Sequence, residues 1–171
     1  MGSGTTLVEA KLLNRNAIGV DINPQSVSIS ETNLQFQCET KSKIHTRCAN
    51  ATDLSFIKDS HIDFICTHPP YANIIKYSKN VDGDISLLTV EEFLKEMTVV
   101  AQEAYRVLRK GKACAVMIGD MRRYGKVVPL GFWVMECFLS VGFVSKEIII
   151  KEQHNCRSTD YWEKQNNNFL L

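Results

Sequence analysis

The sequence lacks the residue patterns that mark several large classes of protein. Its six cysteines form no CxxC pair and its four histidines form no HxxxH pair, so we expect reduced, mostly buried thiols and no metal site. No run approaches the roughly 18 apolar residues of a membrane span, and the first residues show no secretory signal pattern. The glycine-rich start is not followed by Gly-Lys-Ser/Thr, which excludes a P-loop. These absences predict a cytoplasmic protein without a membrane segment.

Composition and charge fit one folded domain. The chain has 171 residues, of which 44% are hydrophobic and 23% are charged, so it has enough apolar residues for a core. The formal net charge is only +1. A protein with so little excess charge does not hold nucleic acid through bulk electrostatics, and any such binding must use a local basic patch.

Short apolar runs of strand length alternate with longer runs of helical period, which predicts an α/β fold with a mainly parallel sheet. The predicted strands are residues 17–22, 44–49, 62–67, 113–119 and 143–151. The predicted helices are residues 6–14, a helix opening at Asn23-Pro24, residues 91–108 and residues 128–141. The run at 62–67, IDFICT, is nearly continuous in apolar residues and is predicted to be buried on both faces. No repeat or linker interrupts residues 1–171, so we expect a single domain.

The first residues carry a pattern typical of nucleotide-cofactor binding. They are Gly2, Ser3, Gly4, Thr5 and Thr6. Glycines let the backbone approach a ligand at a helix N-terminus, and a carboxylate about 20 residues later accepts hydrogen bonds from ribose hydroxyls. Asp21 stands at that offset. The pattern alone does not separate a nicotinamide cofactor from S-adenosylmethionine, and a flexible start of the chain is the alternative.

A second pattern follows the predicted strand 62–67. Its residues are His68, Pro69, Pro70 and Tyr71. Two prolines end the strand and fix a rigid turn at its carboxyl end, where ligands bind in open α/β sheets. A base amino group is a poor nucleophile because its lone pair is delocalised into the ring. Two acceptors that hold both amino hydrogens localise that pair, and an aromatic ring stacks on a base taken out of the duplex.

The sequence resembles the amino-methyltransferases of DNA, which act on cytosine N4 or adenine N6. The matching stretches are GSGTT at 2–6, GVDINP at 19–24, HPPY at 68–71, YRVLRKGK at 105–112 with IGD at 118–120, and KEQHNC at 151–156. The resemblance implies a Rossmann-like, doubly wound fold, S-adenosylmethionine as cofactor, and DNA with a flipped base as partner. Between the two target bases we slightly favour cytosine.

The resemblance also assigns roles to individual residues. Gly2 and Gly4 would approach the methionine part of the cofactor and Asp21 its ribose, while Asn50 or Asp53 would contact the adenine ring. The same cofactor site is expected to include Ser3, Thr5, Thr6 and Ile22. The His68 side chain and the Pro69 carbonyl would hold the target amino group, and Tyr71 would stack on the base beside Pro70.

His68 departs from the family, in which this position is Asp, Asn or Ser. A neutral imidazole accepts one hydrogen bond, whereas imidazolium accepts none. The alternative is that His68 only hydrogen-bonds within the turn.

A second departure is that no strand ending in Asp-Pro-Phe precedes the glycine pattern, although in the family such a strand lies in the middle of the sheet. Three or four buried side chains at about 1.5–3 kcal/mol each would rival the stability of a domain, about 5–15 kcal/mol. We therefore expect a domain incomplete at both ends. Another polypeptide segment supplies the strand, or the chain is a fragment.

Other interpretations stay open. An RNA or protein amino-group methyltransferase, or an inactive remnant of one, also fits these motifs. Arg122, Arg123 and Lys126 lie in a predicted loop that contacts phosphate or is simply solvated. A second basic group is predicted to complement a helix end; it comprises Arg106, Arg109, Lys110 and Lys112. Tyr161 and Trp162, beside Arg157, form a recognition surface or a packed pair.

Overall fold

The computed structural model describes residues 1–72 and 81–151. Its helices are α1 (Thr5–Leu12), α2 (Pro24–Asn33), α3 (Val90–Val107) and α4 (Leu130–Val141), with a short 3-10 helix at Ile85–Leu87. Its strands are β1 (Ala17–Asp21), β2 (Ile44–Cys48), β3 (Ile62–Thr67), β4 (Leu108–Val116), β5 (Met121–Arg123) and β6 (Lys126–Val128).

The first four strands form two parallel pairs. β1 pairs with β2 and β3 pairs with β4, whereas β5 and β6 form a short antiparallel hairpin. The ladder of the second pair continues past its strands, because the Met117 N–H donates to the Thr67 carbonyl at 2.9 Å. The predicted α/β fold with mainly parallel strands is confirmed. Within the described residues the two pairs are not hydrogen-bonded to each other.

Local sequence signals explain where the helices begin. α2 starts where Asn23 accepts a hydrogen bond from the Gln25 N–H and Pro24 occupies the first helical position. α3 starts at a capping box in which Thr89 and Glu92 each bond the other's backbone N–H. α4 ends at Gly142, whose φ of 119° favours a residue without a Cβ.

The core lies between α3 and α4. Its largest fully buried side chains include Phe93 and Met97 from α3 and Leu130 and Val134 from α4. Each such side chain contributes about 1.5–3 kcal/mol of hydrophobic stabilisation. Ala72, directly after the HPPY turn, and Met121 of the hairpin join the same cluster. The turn and the hairpin are therefore anchored in one core.

Two strand predictions are wrong. β3 is not buried on both faces, because Phe64 is 59% exposed and Cys66 is also exposed. It pairs on one side only among the described residues, which leaves part of its surface uncovered. Residues 143–151 form no strand, and Ile149 and Ile150 are 85% and 90% exposed. An apolar run needs a partner to become a strand, and no described segment pairs with this one.

The cysteines are only partly as the sequence predicted. The five described cysteines are free, but Cys48 and Cys66 are exposed rather than buried. Burial raises the pKa of Cys114 to about 11.

α3 ends at Val107, so Arg109 and the lysines after it lie on β4 and not at a helix end. No helix in the described part of the chain is long and apolar enough to span a membrane. Tyr161 and Trp162 beside Arg157, predicted as a recognition surface or a packed pair, lie outside the described residues.

Arg106 fixes the segment that connects β2 to β3. Its guanidinium donates to the carbonyls of Leu54 and Ile57, both at 2.9 Å, and to Asp59 at 2.7 Å. It also pairs with Glu103 one turn earlier on α3, at 2.7 Å. Glu103 in turn accepts the Leu54 N–H at 2.7 Å. The hydrogen bond from Arg106 holds the pKa of Glu103 below its ordinary value, against the smaller opposing effect of burial.

We predict that Glu103→Gln lowers the free energy of unfolding at pH 7 by about 1–2 kcal/mol, because hydrogen bonds to a charged group are lost. The Glu103 pKa is lower in the folded state, so its contribution is complete above the unfolded-state pKa of about 4.3. It disappears as the pH falls through the folded-state pKa. Urea unfolding of both proteins across the acid range should show the difference shrinking in that window.

The matched control is Glu91→Gln on the same helix. Glu91 pairs with Lys95, but their side chains are 81% and 71% exposed, and such a pair contributes little. If the difference in unfolding free energy between the wild type and Glu103→Gln does not depend on pH, the role given to the Glu103 charge is contradicted.

Candidate active site

The glycine loop and Asp21 lie together. Gly2 and Gly4 have φ values of 57° and 82°, and Gly4 is the N-cap of α1. The Gly2 N–H donates to Asp21 Oδ2 at 3.1 Å, and the amino group of Met1 donates to the same oxygen at 2.9 Å. The other oxygen, Oδ1, accepts the Asn23 N–H at 3.0 Å. Both oxygens of the Asp21 carboxylate are therefore held in place beside the glycine loop.

Helix α2 holds the loop from behind. Ser30 Oγ donates to the Gly2 carbonyl at 3.0 Å, and Asn33 donates to the Ser3 carbonyl at 2.9 Å. A Cβ on Gly4 would lie 2.8 Å from the Ser30 side chain, so this position needs glycine. Ser3, Thr5 and Thr6 are exposed. The loop is thus a fixed turn, and the alternative of a flexible start does not describe it.

Asn50 and Asp53, the two alternatives for contacting an adenine ring, differ in their surroundings. Asp53 is exposed, and its carboxylate accepts the Ser55 N–H at 3.0 Å. That bond, with a smaller effect of Arg106, lowers the pKa of Asp53. Asn50 accepts the Thr52 N–H at 3.1 Å and lies close to a loop that also meets Ile22. Asn50 is therefore the better placed of the two.

Gly83 brings Ile22 and Asn50 together and is absent from the sequence prediction. A Cβ on Gly83 would lie 3.0 Å from Asn50 Nδ2 and 3.1 Å from Ile22 Cδ1, and its φ is 78°. The signal was present as Asp82-Gly83-Asp84, a turn sequence. Nothing in its spacing, however, linked that turn to residues more than thirty positions earlier.

The HPPY turn follows directly on β3. His68 is exposed, Pro69 is buried, and Pro70 is half-buried. The rings of His68 and Tyr71 are nearly perpendicular, with centroids 5.8 Å apart, and His68 Nε2 lies 3.5 Å from the Tyr71 hydroxyl. The Gly119 N–H donates to that hydroxyl at 3.1 Å. Tyr71 is thus fixed by the backbone that follows β4.

The protonation of the imidazole decides what His68 can do. If the Tyr71 hydroxyl donates to Nε2, the neutral ring carries its proton on Nδ1 and offers no free acceptor. If Nε2–H donates to the hydroxyl, Nδ1 keeps a lone pair that can accept a hydrogen bond. Tyr71 oxygen accepts both N–H groups in the second arrangement. Only that tautomer fits the predicted role of His68.

Asp21 ends β1, and Asn50, His68 and Gly119 follow the carboxyl ends of β2, β3 and β4. In open parallel α/β folds ligands bind at the carboxyl ends of the strands. The glycine loop with its carboxylate and the Pro-Pro-Tyr turn therefore each lie at the carboxyl end of their own strand pair. Together with the parallel β-α units they define a Rossmann-like methyltransferase fold.

The comparisons with known proteins agree with this class. The family model described as UPF0020, RMKL-like, methyltransferase domain, matches residues 1–122, and the chain belongs to that family. No curated protein matches the chain.

A crystal structure of a SAM-dependent methyltransferase from Methanosarcina mazei is similar, with 24% identity and a TM-score of 0.51. The match covers 67% of this chain and 47% of that protein, so the chain spans about half of its length. At this identity the likeness confirms the predicted fold. The name of that protein also agrees with the cofactor expected from the sequence.

Proposed function

We propose that the chain transfers a methyl group from S-adenosylmethionine to the exocyclic amino group of a DNA base, cytosine N4 or adenine N6. The observation that carries the proposal is the turn formed by His68, Pro69, Pro70 and Tyr71. It follows the carboxyl end of β3, as Asp21 stands at the carboxyl end of β1, and its tyrosine is held by Gly119. Membership of a methyltransferase-domain family supports the reaction class.

The cofactor half offers what S-adenosylmethionine requires. A Cβ on Gly2 would meet no atom within 4 Å, so the backbone there is open to a ligand. Among the described residues Asp21 Oδ1 accepts only the Asn23 N–H, so it can also accept a hydrogen bond from a ribose hydroxyl. Asn50 with Ile22 provides a polar and an apolar contact for an adenine ring. When bound, S-adenosylmethionine supplies an electrophilic methyl group.

The catalytic half acts on the amino nitrogen. Nδ1 of His68 and the Pro69 carbonyl accept one amino hydrogen each, which directs the nitrogen lone pair toward the methyl carbon. The Tyr71 ring stacks on the base, while its hydroxyl accepts the Nε2–H of the tautomer that leaves Nδ1 free to accept. Fixed acceptors of this kind cost no reorganisation in the transition state.

We predict that Asp21→Ala weakens S-adenosylmethionine binding about 10- to 150-fold, the equivalent of about 1.5–3 kcal/mol for hydrogen bonds to a charged group. Titration calorimetry measures the effect directly. Asp53→Ala serves as the matched control and should bind normally, because Asp53 is exposed and occupied with Ser55. Unchanged affinity in Asp21→Ala, or tight binding of a nicotinamide dinucleotide to the wild type, would redirect the cofactor assignment.

We predict that His68→Ala reduces methyl transfer about 100-fold or more while cofactor affinity is retained, because an acceptor acting in the transition state is lost. His68→Asn should restore transfer, since an amide oxygen accepts a hydrogen bond at any pH near neutrality.

The assay uses tritiated S-adenosylmethionine with DNA and RNA side by side, so that it also tests the proposed substrate. Tyr71→Phe keeps the ring and removes the hydroxyl that selects the tautomer. It should transfer more slowly than wild type but faster than His68→Ala. Full activity of His68→Ala would mean that His68 is only a turn residue.

We also propose that a further extended polypeptide segment pairs between β1 and β3. Among the described residues each of these strands has a ladder partner on one side only, and the other side is an open edge. Ile18 and Phe64 are 40% and 59% exposed. The resemblance to the DNA amino-methyltransferases, in which such a strand lies in the middle of the sheet, supports a strand at this position.

We predict that a segment of about eight valine- and threonine-rich residues fused ahead of Met1 raises Tm by about 5 °C or more, because it buries apolar side chains. A glycine-serine segment of the same length is the control. Equal Tm values for the two fusions, or an unfused chain that unfolds cooperatively above about 60 °C, would count against the added strand.

A further inference from the structure

The hairpin formed by β5 and β6 is a basic projection with an aromatic tip. Its sequence from Met121 to Val128 is MRRYGKVV, with three cationic and no acidic residues. Arg123 pairs with Lys126 across the turn, which consists of Tyr124 and Gly125. Residues 122–127 are all exposed. The sequence predicted a loop here, and the structure shows a defined hairpin instead.

Tyr124 is an unusual choice for this turn. Tyr124 and Gly125 have φ values of 50° and 73°, as a two-residue hairpin turn with two left-handed residues requires. Asparagine or glycine adopts the first position easily, whereas a bulky residue there is strained. The Tyr124 side chain gains little burial in return, because it is 91% exposed. The guanidinium carbon of Arg123 lies 5.6 Å from the centroid of the Tyr124 ring. Strain without burial favours a role in recognition.

The base of the hairpin is tied to the candidate active site. Gly119, two residues before β5, donates to the Tyr71 hydroxyl. Asp120 Oδ1 accepts the Gly131 N–H at 3.0 Å, close to where the chain leaves β6. Met121 is 6% exposed and belongs to the core cluster that contains Ala72. The hairpin therefore projects from the rim of the HPPY turn with a fixed root.

We infer that this hairpin binds a single-stranded stretch of DNA next to the target base. The inference rests on the proposed function. A base stacks on the Tyr124 ring, and the cations at positions 123 and 126 contact the phosphates on either side. Exposed aromatic rings between cationic side chains are the means by which proteins hold single strands without reading their sequence. The net charge of only +1 excludes DNA binding through bulk charge, so binding requires a local basic patch, and the hairpin is such a patch.

The test measures Kd for a fluorescent single-stranded DNA oligonucleotide by anisotropy at several salt concentrations, with cofactor present. Tyr124→Asn removes the ring but suits the left-handed turn, so Tm should stay equal or rise while Kd weakens about tenfold. Lys126→Gln should weaken Kd and reduce the slope of log Kd against log salt by about 0.7. Lys110→Gln is the matched control. Lys110 is exposed near the amino end of β4, at the opposite edge of the sheet, and its loss should change neither quantity.

Tyr124→Asn and Lys126→Gln leave the HPPY turn unchanged, so their Kd values test the hairpin independently of the catalytic role of His68. Wild-type affinity in both Tyr124→Asn and Lys126→Gln would overturn the proposal. So would preference for an RNA oligonucleotide of the same sequence, or equal binding to vesicles of phosphatidylserine. Weaker binding of Tyr124→Asn with a lowered Tm would show a structural residue and would also overturn it.

Discussion

The arrangement of the site depends on how the Arg106 guanidinium holds the segment between β2 and β3. This segment makes few backbone hydrogen bonds of its own, and Arg106 binds the carbonyls of Leu54 and Ile57 in its middle. Its end is tied to α3 as well, because the Ser60 N–H donates to the Arg106 carbonyl. Asn50 stands where the segment begins, and His68 follows the strand to which it leads. One cation on α3 therefore fixes the path from Asn50 to the strand that precedes the HPPY turn.

Close approaches of the backbone at Gly83 and Gly119 also shape the candidate site. At Gly83 the chain passes within contact distance of Asn50 and Ile22, and a Cβ on Gly119 would lie 3.3 Å from the Tyr71 hydroxyl. Any side chain at Gly119 would press on Tyr71 and disturb the N–H donor that holds it. The site is assembled by main-chain positions as much as by side chains, so shape at these glycines matters as much as charge at Asp21.

Those features also mark the limit of what the sequence could predict. Hydrophobic period placed β3 correctly and α3 to within one residue, and the glycine loop was predicted together with its carboxylate. Hydrophobic periodicity shows which residues are apolar but not which segment of the chain covers them. For this reason it wrongly predicted that Phe64 is buried and that residues 143–151 form a strand. The Arg106 bonds join residues about fifty positions apart, and the Gly83 approach joins residues more than thirty positions apart, so no local pattern encodes them. The β5–β6 hairpin was missed because its turn begins with Tyr124 and not with asparagine.

The Tyr71 hydroxyl gives a physical reason why histidine can stand at a position that is otherwise Asp, Asn or Ser in the resembling family. Those three side chains carry an acceptor oxygen in every neutral or ionised form they adopt near neutrality. Imidazole offers an acceptor in only one direction, and the direction depends on where its proton lies. A chain that uses histidine must therefore also select the tautomer. The Tyr71 oxygen, already fixed by Gly119, lies 3.5 Å from His68 Nε2 and can accept a hydrogen bond from it. The position of the Tyr71 hydroxyl thus depends on a backbone N–H after β4, so the HPPY turn and the root of the basic hairpin are parts of one unit.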